Sequence, residues 1–227
     1  MSHTVRAMFA SIAPRYDLAN SVLSLGIHHL WRRRLVKLSG VQAGSSVLDC
    51  ATGTGDLAIA FRKKAGPGGR VVGTDFCEEM LERAPAKAKG LSIEFLRADV
   101  HQLPFETASF DAASIAFGIR NVSRPVDALR EMARAVRPGG KVMVLEFGQP
   151  TGLWGTFYRF YSNRVLPFVG GLLTGNFQAY QYLNRTSSEF PCGEKFLALL
   201  RETKAFRSVE AFPMTGGVAW VYRGVVA

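Results

Sequence analysis

The sequence predicts an α/β fold whose mostly parallel, seven-stranded sheet ends in an antiparallel hairpin. Three observations carry that prediction. From residue 45 to 147, short β-branched or apolar runs alternate with helical patterns, the rhythm of parallel strands joined by crossover helices. A glycine-rich turn, Gly53-Thr54-Gly55, separates the first strand from its helix. The last two strand-like runs have no helix between them, so they can pair only as an antiparallel hairpin.

The elements follow in order. The first strand is 46–50, and its helix runs to about residue 64, where Gly66-Pro67-Gly68-Gly69 stops it. Residues 70–75 form the second strand, 78–88 a helix and 93–96 the third strand. The fourth strand, 110–115, leads to a helix over 125–136. Arg137-Pro138-Gly139-Gly140 reads as a turn into the fifth strand, 141–147. A helical insertion over 153–187 and a helix over 193–203 precede the hairpin strands 209–212 and 218–222. The first forty residues are helical in pattern and lie outside the sheet. No internal repeat interrupts this order, and the chain reads as one domain over 1–227.

Composition agrees with a packed domain: hydrophobic residues make up 48% and charged residues 20%, which excludes wholesale disorder. The longest uncharged stretch, 165–184, is broken by Pro167, Gly170, Gly171 and Gly175, so no run resembles the roughly 20 apolar residues of a membrane span. Residues 1–20 contain no signal-type apolar core. Cys50, Cys77 and Cys192 show neither disulfide nor metal spacing. A cytoplasmic protein is expected, peripheral to the inner face of the membrane if its charge has a partner there. The net charge of +10 is uneven. Residues 1–40 carry six basic and one acidic side chain, residues 41–150 fourteen and thirteen, and residues 151–227 eight and four. Such flanks are either solvated surface or a footprint for a polyanion.

The chemistry starts at Asp49-Cys50-Ala51-Thr52-Gly53-Thr54-Gly55. Glycines at a strand-to-helix turn let the backbone approach a ligand, and the same spacing fits a dinucleotide or another nucleoside cofactor. Asp75 ends the second strand, where an acid accepts ribose hydroxyls in either case. Asp49 separates the readings: a carboxylate at the mouth of the first strand repels a pyrophosphate and attracts an ammonium. S-adenosyl-L-methionine carries an ammonium and a sulfonium and no phosphate. Asp99, past the third strand, is placed to accept from the adenine amino group. Each acid alone is equally a cap or turn residue. Three at successive strand ends, on the ligand-binding edge of such sheets, point to an S-adenosylmethionine-dependent enzyme with the class I methyltransferase, Rossmann-like fold.

Tyr16-Asp17-Leu18-Ala19-Asn20, followed by Ser24, His28 and Trp31, resembles the N-terminal signature of the ubiquinone/menaquinone biosynthesis C-methyltransferase family. Phe117-Gly118-Ile119-Arg120-Asn121-Val122 and Arg137-Pro138-Gly139-Gly140 running into Val144-Leu145-Glu146-Phe147 resemble two further signatures of that family. The likeness spans about residues 9–224. It departs where Ala19 replaces Met and where Ala116 and Gly148 replace Ser, while Ala51, in place of the first glycine common in other methyltransferases, follows the family form. The resemblance implies cofactor contacts at Thr54, Asp75, Asp99, Val100 and Ala116, and methylation of a ring carbon of a polyprenylated quinol. It divides the chain into an N-terminal cap (1–40), a cofactor-binding core (41–150), a helical substrate lid (151–191) and a C-terminal helix with two strands (192–227).

For that reaction Arg120 is the candidate stabiliser of phenolate charge and Asn121 a candidate to orient the ring oxygen. His28, Tyr16 and His101 are base candidates. Arg120 can equally be a salt bridge holding its loop, and His28 a core or helix-surface histidine. No metal is expected. The aromatic and aliphatic stretches 157–161 and 165–169, next to basic residues, suggest a greasy opening against an anionic bilayer, unless they are ordinary lid core. A nucleic-acid methyltransferase is disfavoured: Phe117-Gly118-Ile119-Arg120 stands where an Asn-Pro-Pro-Tyr type motif belongs, and Pro191-Cys192 lies too late for a cytosine nucleophile. A nicotinamide dehydrogenase is disfavoured by Asp49, and a non-catalytic module by the intact cofactor elements. A related small-molecule methyltransferase with another acceptor is the nearest rival. Benzoquinol and naphthoquinol both remain open, as does a homo-oligomer.

Overall fold

The computed structural model of the chain describes residues 3–227, so the first two residues of the expected cap lie outside the described residues. Seven strands form one sheet: β1 (Ser46–Cys50), β2 (Arg70–Asp75), β3 (Glu94–Arg97), β4 (Phe110–Ala116), β5 (Val136–Phe147), β6 (Phe206–Met214) and β7 (Ala219–Val226). Their order is β3-β2-β1-β4-β5-β7-β6. The first five are parallel, and β7 inserts antiparallel between β5 and β6. Strand order reverses between β1 and β4, and the crevice outside such a switch point is where a doubly wound sheet takes ligands.

Helices α1 (His3–Ile12), α2 (Tyr16–Leu23) and α3 (Ile27–Ser39) form the cap. Helices α4 (Asp56–Ala65), α5 (Glu78–Leu81), α6 (Ala84–Lys87) and α7 (Pro125–Ala135) belong to the crossovers. Helices α8 (Gly152–Phe160), α9 (Leu166–Thr174) and α10 (Phe177–Glu189) form the insertion, and α11 (Glu194–Glu202) precedes the hairpin.

Alternation along the strands builds two core layers. Leu48, Val142 and Val144 face α7 and α11, meeting Leu129, Met132, Phe196 and Leu200. Their neighbours Val47, Met143 and Leu145 face the other way, onto Trp31 and Leu35 of α3 and Leu57 and Phe61 of α4. Burial on both faces explains why the parallel strands read as continuous apolar runs rather than alternating ones. The cap and insertion meet through a separate cluster of Ile12, Ala19, Ala179 and Tyr180.

Three expectations are corrected. The helix over 78–88 is two short helices, because Pro85, in the first turn of α6, cannot continue an upstream ladder. The turn at 137–140 lies within β5 as a bulge: Val136 pairs with Phe110 and Lys141 with Ala112, leaving four residues opposite Asp111, which binds Arg137 at 2.8 Å. Both hairpin strands are longer than 209–212 and 218–222. Charged residues hid their ends, yet Glu210 and Arg223 face each other in register as an ion pair, and Pro213 sits on the edge strand, where no donor is needed. No helix among the described residues is long and apolar enough to cross a membrane.

Candidate active site

The ends of β1, β2 and β4 and the loop after β3 surround a small pocket of about 80 Å³. Gly53, Asp75, Asp99, Val100, Ala116 and Asn121 all line it. Asp75 Oδ2 accepts the Gly53 N–H at 2.8 Å and Oδ1 accepts the Cys77 N–H at 2.8 Å. One carboxylate thus fixes the glycine loop and the turn after β2. Burial pushes Asp75 up, against the pull of these backbone bonds and with no cation beside it, so further donors would stabilise its charged form. Asp99 Oδ1 accepts the backbone N–H of His101 at 2.9 Å and meets its Nδ1 at 2.7 Å. Burial raises Asp99, but the His101 bonds outweigh it and hold the group below the usual carboxylate range.

Two acids and, among the described residues, no Lys, Arg or His line this pocket. These acceptors fit a cationic, phosphate-free cofactor such as S-adenosylmethionine. The wall is tight at Gly118, where a Cβ would stand 2.6 Å from that of Ala51. Ala51 and Phe117 themselves hold φ of +49° and +55°, strained values for non-glycine residues that cluster at this crevice.

Asp49, Thr54 and Gly55 lie behind the wall rather than on it. Asp49 is buried, accepting Thr52 Oγ1 at 2.7 Å and Ser114 Oγ at 2.6 Å. Burial raises it to about 6, opposed by these two hydroxyls and by Arg32. Asp49, expected to meet an ammonium, is therefore buried beneath the loop and does not line the pocket. The cause is strand alternation, which turns Asp49 to the same face as Val47, toward α3 and α4 and beside its register partner Ser114, while Ala51 and Gly53 after the strand reach the crevice. Thr54 Oγ1 donates to Asp17 Oδ1 at 2.7 Å, tying the cap to the glycine loop. Gly55, at φ +86°, caps α4 and packs against Phe95.

A larger cavity of about 390 Å³ adjoins the pocket, sharing Phe9, Tyr16 and Phe117 with it. Cap helices, the loops after β4 and β5, and α8–α10 enclose it. Trp31, Phe117 and Phe147 form an aromatic wall with ring centroids 4.5 to 6.5 Å apart. Two arginines line it, Arg32, which bridges to Asp56 at 2.7 Å, and Arg120. Arg120 Nη1 donates to Glu146 Oε1 at 2.7 Å and to the Phe117 carbonyl at 2.6 Å, and the guanidinium carbon stands 5.3 Å from the Phe147 ring centre. The pair is deeply buried, with side-chain exposure of 5% for Arg120 and 1% for Glu146. Arg120 Nε is buried without a partner. Arg120 thus forms a buried salt bridge and also lines the cavity.

His28 is buried and lines the cavity. Burial, helped by Arg32 and His29, lowers it to about 4, so its ring is neutral near pH 7. Ser24 Oγ already donates its proton to the Asn20 carbonyl at 2.7 Å, so in its contact with His28 it must accept from Nδ1. Nε2 is then the bare lone pair, a weaker base than an unperturbed histidine. Tyr16 lies where cavity and pocket meet, whereas His101 lines neither. Tyr158 lines the cavity with its phenol pushed up to about 12 by burial, which removes it as a base. Sequence reasoning missed Glu146, Tyr158 and Tyr182 as site residues. Glu146 lay inside a recognised motif; the two tyrosines had no signal beyond the aromatic run around them. Among the described residues no group of three His, Cys, Asp or Glu could hold a metal ion.

A model described as the ubiE/COQ5 methyltransferase family matches residues 1–226. The chain is 57% identical over 225 residues to the ubiquinone/menaquinone biosynthesis C-methyltransferase UbiE of Bdellovibrio bacteriovorus, covering 98% of this chain and 95% of that one. It is 48% identical to the demethylmenaquinone methyltransferase of Thermus thermophilus, covering 96% and 99%. Among solved structures, a SAM-dependent methyltransferase from Thermotoga maritima superposes with a TM-score of 0.68 at 19% identity, over 97% of this chain and 99% of that one. Phosphoethanolamine N-methyltransferase 2 of Haemonchus contortus, in complex with S-adenosyl-L-methionine, gives 0.58 at 20% identity over 82% of this chain and 38% of that one. A seven-stranded sheet in this order, an acid-lined pocket at its switch point and a match from end to end make the chain a member of the ubiE/COQ5 methyltransferase family.

Proposed function

We propose that this protein transfers a methyl group from S-adenosyl-L-methionine to a ring carbon of a polyprenylated quinol, converting demethylmenaquinol to menaquinol or methylating the corresponding benzoquinol of ubiquinone biosynthesis. The observation that carries the reading is the adjacency of an acid-lined pocket to an apolar, aromatic cavity lined by the buried guanidinium of Arg120 and by Arg32, itself paired with Asp56. In it Asp75 accepts the ribose hydroxyls, Asp99 accepts from the adenine amino group, and Gly53, Val100 and Ala116 form the remaining wall. Asp49, Thr54 and Gly55 act by holding the loop. When bound, S-adenosylmethionine supplies an electrophilic methyl group and leaves as a neutral thioether.

The ring carbon gains the methyl group and gives up its proton, so the protein must stabilise phenolate character and let one proton leave. Arg120 does the first, because a fixed guanidinium interacts more strongly with a phenolate than with a phenol. His28 Nε2 accepts a proton transiently, Tyr16 borders the transfer zone, and Asn121 orients the ring from the pocket side. The cavity holds a ring and only the start of an isoprenoid tail, so the rest runs outward along the insertion, which acts as a lid.

Leu25, in the turn between α2 and α3, and Leu153, Phe157, Phe160, Phe168 and Leu172 of the lid helices are exposed, the lid set near exposed Arg159 and Arg164 in the chain. Apolar rings flanked by cations suit peripheral docking on an anionic bilayer from the cytoplasmic side. No nucleic acid enters this reading. The test is incubation of the purified protein with S-adenosylmethionine and each quinol, followed by mass spectrometry; a gain of one methyl on the ring is expected. Cofactor binding without methylation of either quinol sinks the substrate assignment and favours a different small-molecule acceptor.

A further inference from the structure

Tyr182 lies on α10, its ring lining the large cavity and its hydroxyl donating to Asn121 Oδ1 at 3.0 Å. Asn121 lines the small pocket. It ends the single helical turn Ile119–Asn121 that also carries Arg120. This bond therefore joins the lid to the wall between cofactor and acceptor. Other polar ties of the lid do not reach this turn: Tyr161 to the Leu23 carbonyl, Asn176 to Ser11, Arg15 to the Leu173 carbonyl, Trp154 to the Thr215 carbonyl, and Gln149, after β5, to the Ser187 carbonyl. Burial pushes the Tyr182 phenol up, against Arg120 and Arg185, so it remains a donor near neutral pH. A tyrosine is a stiff strut, with two torsions between backbone and ring.

We propose that Tyr182 is a positioning residue for methyl transfer: from the lid it holds the Asn121 amide, and with it the turn bearing Arg120, in register with the methyl donor and the ring. The proposal rests on the methyltransferase reading above. A displacement of about 1 Å at such a boundary can cost on the order of 100-fold in rate, although the lost bond is ordinary.

Tyr182→Phe removes one oxygen and keeps the ring. Single-turnover methylation of demethylmenaquinol is expected to fall roughly 10- to 100-fold, with quinol KM and S-adenosylhomocysteine affinity within about threefold of the parent. Amide exchange of residues 119–121 and 177–189, measured with S-adenosylhomocysteine bound, is expected to rise about fivefold. Asn121→Ala should cost a similar rate, and the double variant no more than either alone. An unchanged rate, a loss confined to KM, or additive losses in the double variant overturns the proposal. If the parent protein methylates no quinol, the substrate reading fails, and the exchange measurement alone decides: unchanged exchange overturns the strut, and a rise supports it.

Discussion

Arg120 is the most informative residue to perturb, because its buried ion pair and the role proposed for it toward the phenolate can be separated by experiment. Its guanidinium and the Glu146 carboxylate are buried together, at 5% and 1% exposure and 2.7 Å apart. Arg120→Ala leaves the Glu146 charge stranded, and breaking such a pair from one side costs about 3–5 kcal/mol. For a chain of 227 residues this corresponds to a melting point lower by roughly 6–20 °C. The alanine variant alone would thus report folding as much as catalysis. Arg120→Gln combined with Glu146→Gln removes both charges and keeps hydrogen-bonding side chains, so much of the lost stability should return. Catalysis should not, since the missing charge met the transition state; single-turnover methylation is expected to stay about 100- to 1000-fold slow. Cofactor affinity, set on the other side of the wall, should remain near that of the parent. The assay pairs thermal melts and cofactor calorimetry with single-turnover rates. A double variant that melts near the parent and turns over within a few-fold of it refutes the electrostatic role and leaves Arg120 purely structural.

Asp75→Ala should weaken S-adenosylmethionine binding by roughly 1–3 kcal/mol, because the ribose hydroxyls lose a charged acceptor and the Gly53 loop its anchor; calorimetry reads it, and a parent protein preferring nicotinamide dinucleotides would contradict the site assignment. His28, at about 4 when folded, adds stability above its unfolded value of 6.5 that is lost as pH falls from about 6.5 to about 4. Asp49, raised from 3.8 to about 6, works the other way: its ionisation weakens the fold as pH rises through about 6, so acid relieves it. Melts of His28→Gln should therefore decline less than the parent between pH 6.5 and 4, and parallel curves would show that His28 does not titrate in that window. Anionic liposomes should retain the protein more than neutral ones, with salt and Phe157→Ser/Phe160→Ser each reducing retention; equal retention on both membranes removes the docking role.

Local chemistry alone determined much of this protein. Runs buried on both faces are apolar throughout, so β1, β2 and β4 announce themselves, and the glycine turn with Asp75 and Asp99 marks the cofactor edge because strand ends place those residues there. The tertiary structure decided what depends on partners distant in the chain. Asp49 looked like a pocket carboxylate until strand alternation and Ser114, 65 positions away, placed it behind the wall. Arg120 acquired a buried counter-charge from β5, and His28 lost its proton to burial beneath cap and lid, neither of which a single segment can express. Tyr182 carries no sequence signal beyond the aromatic run around it, since its hydroxyl meets Asn121 only when α10 packs against the turn after β4. Backbone propensity and burial pattern are written locally, whereas charge pairing, desolvation and hydrogen-bond partners arise only when remote segments meet.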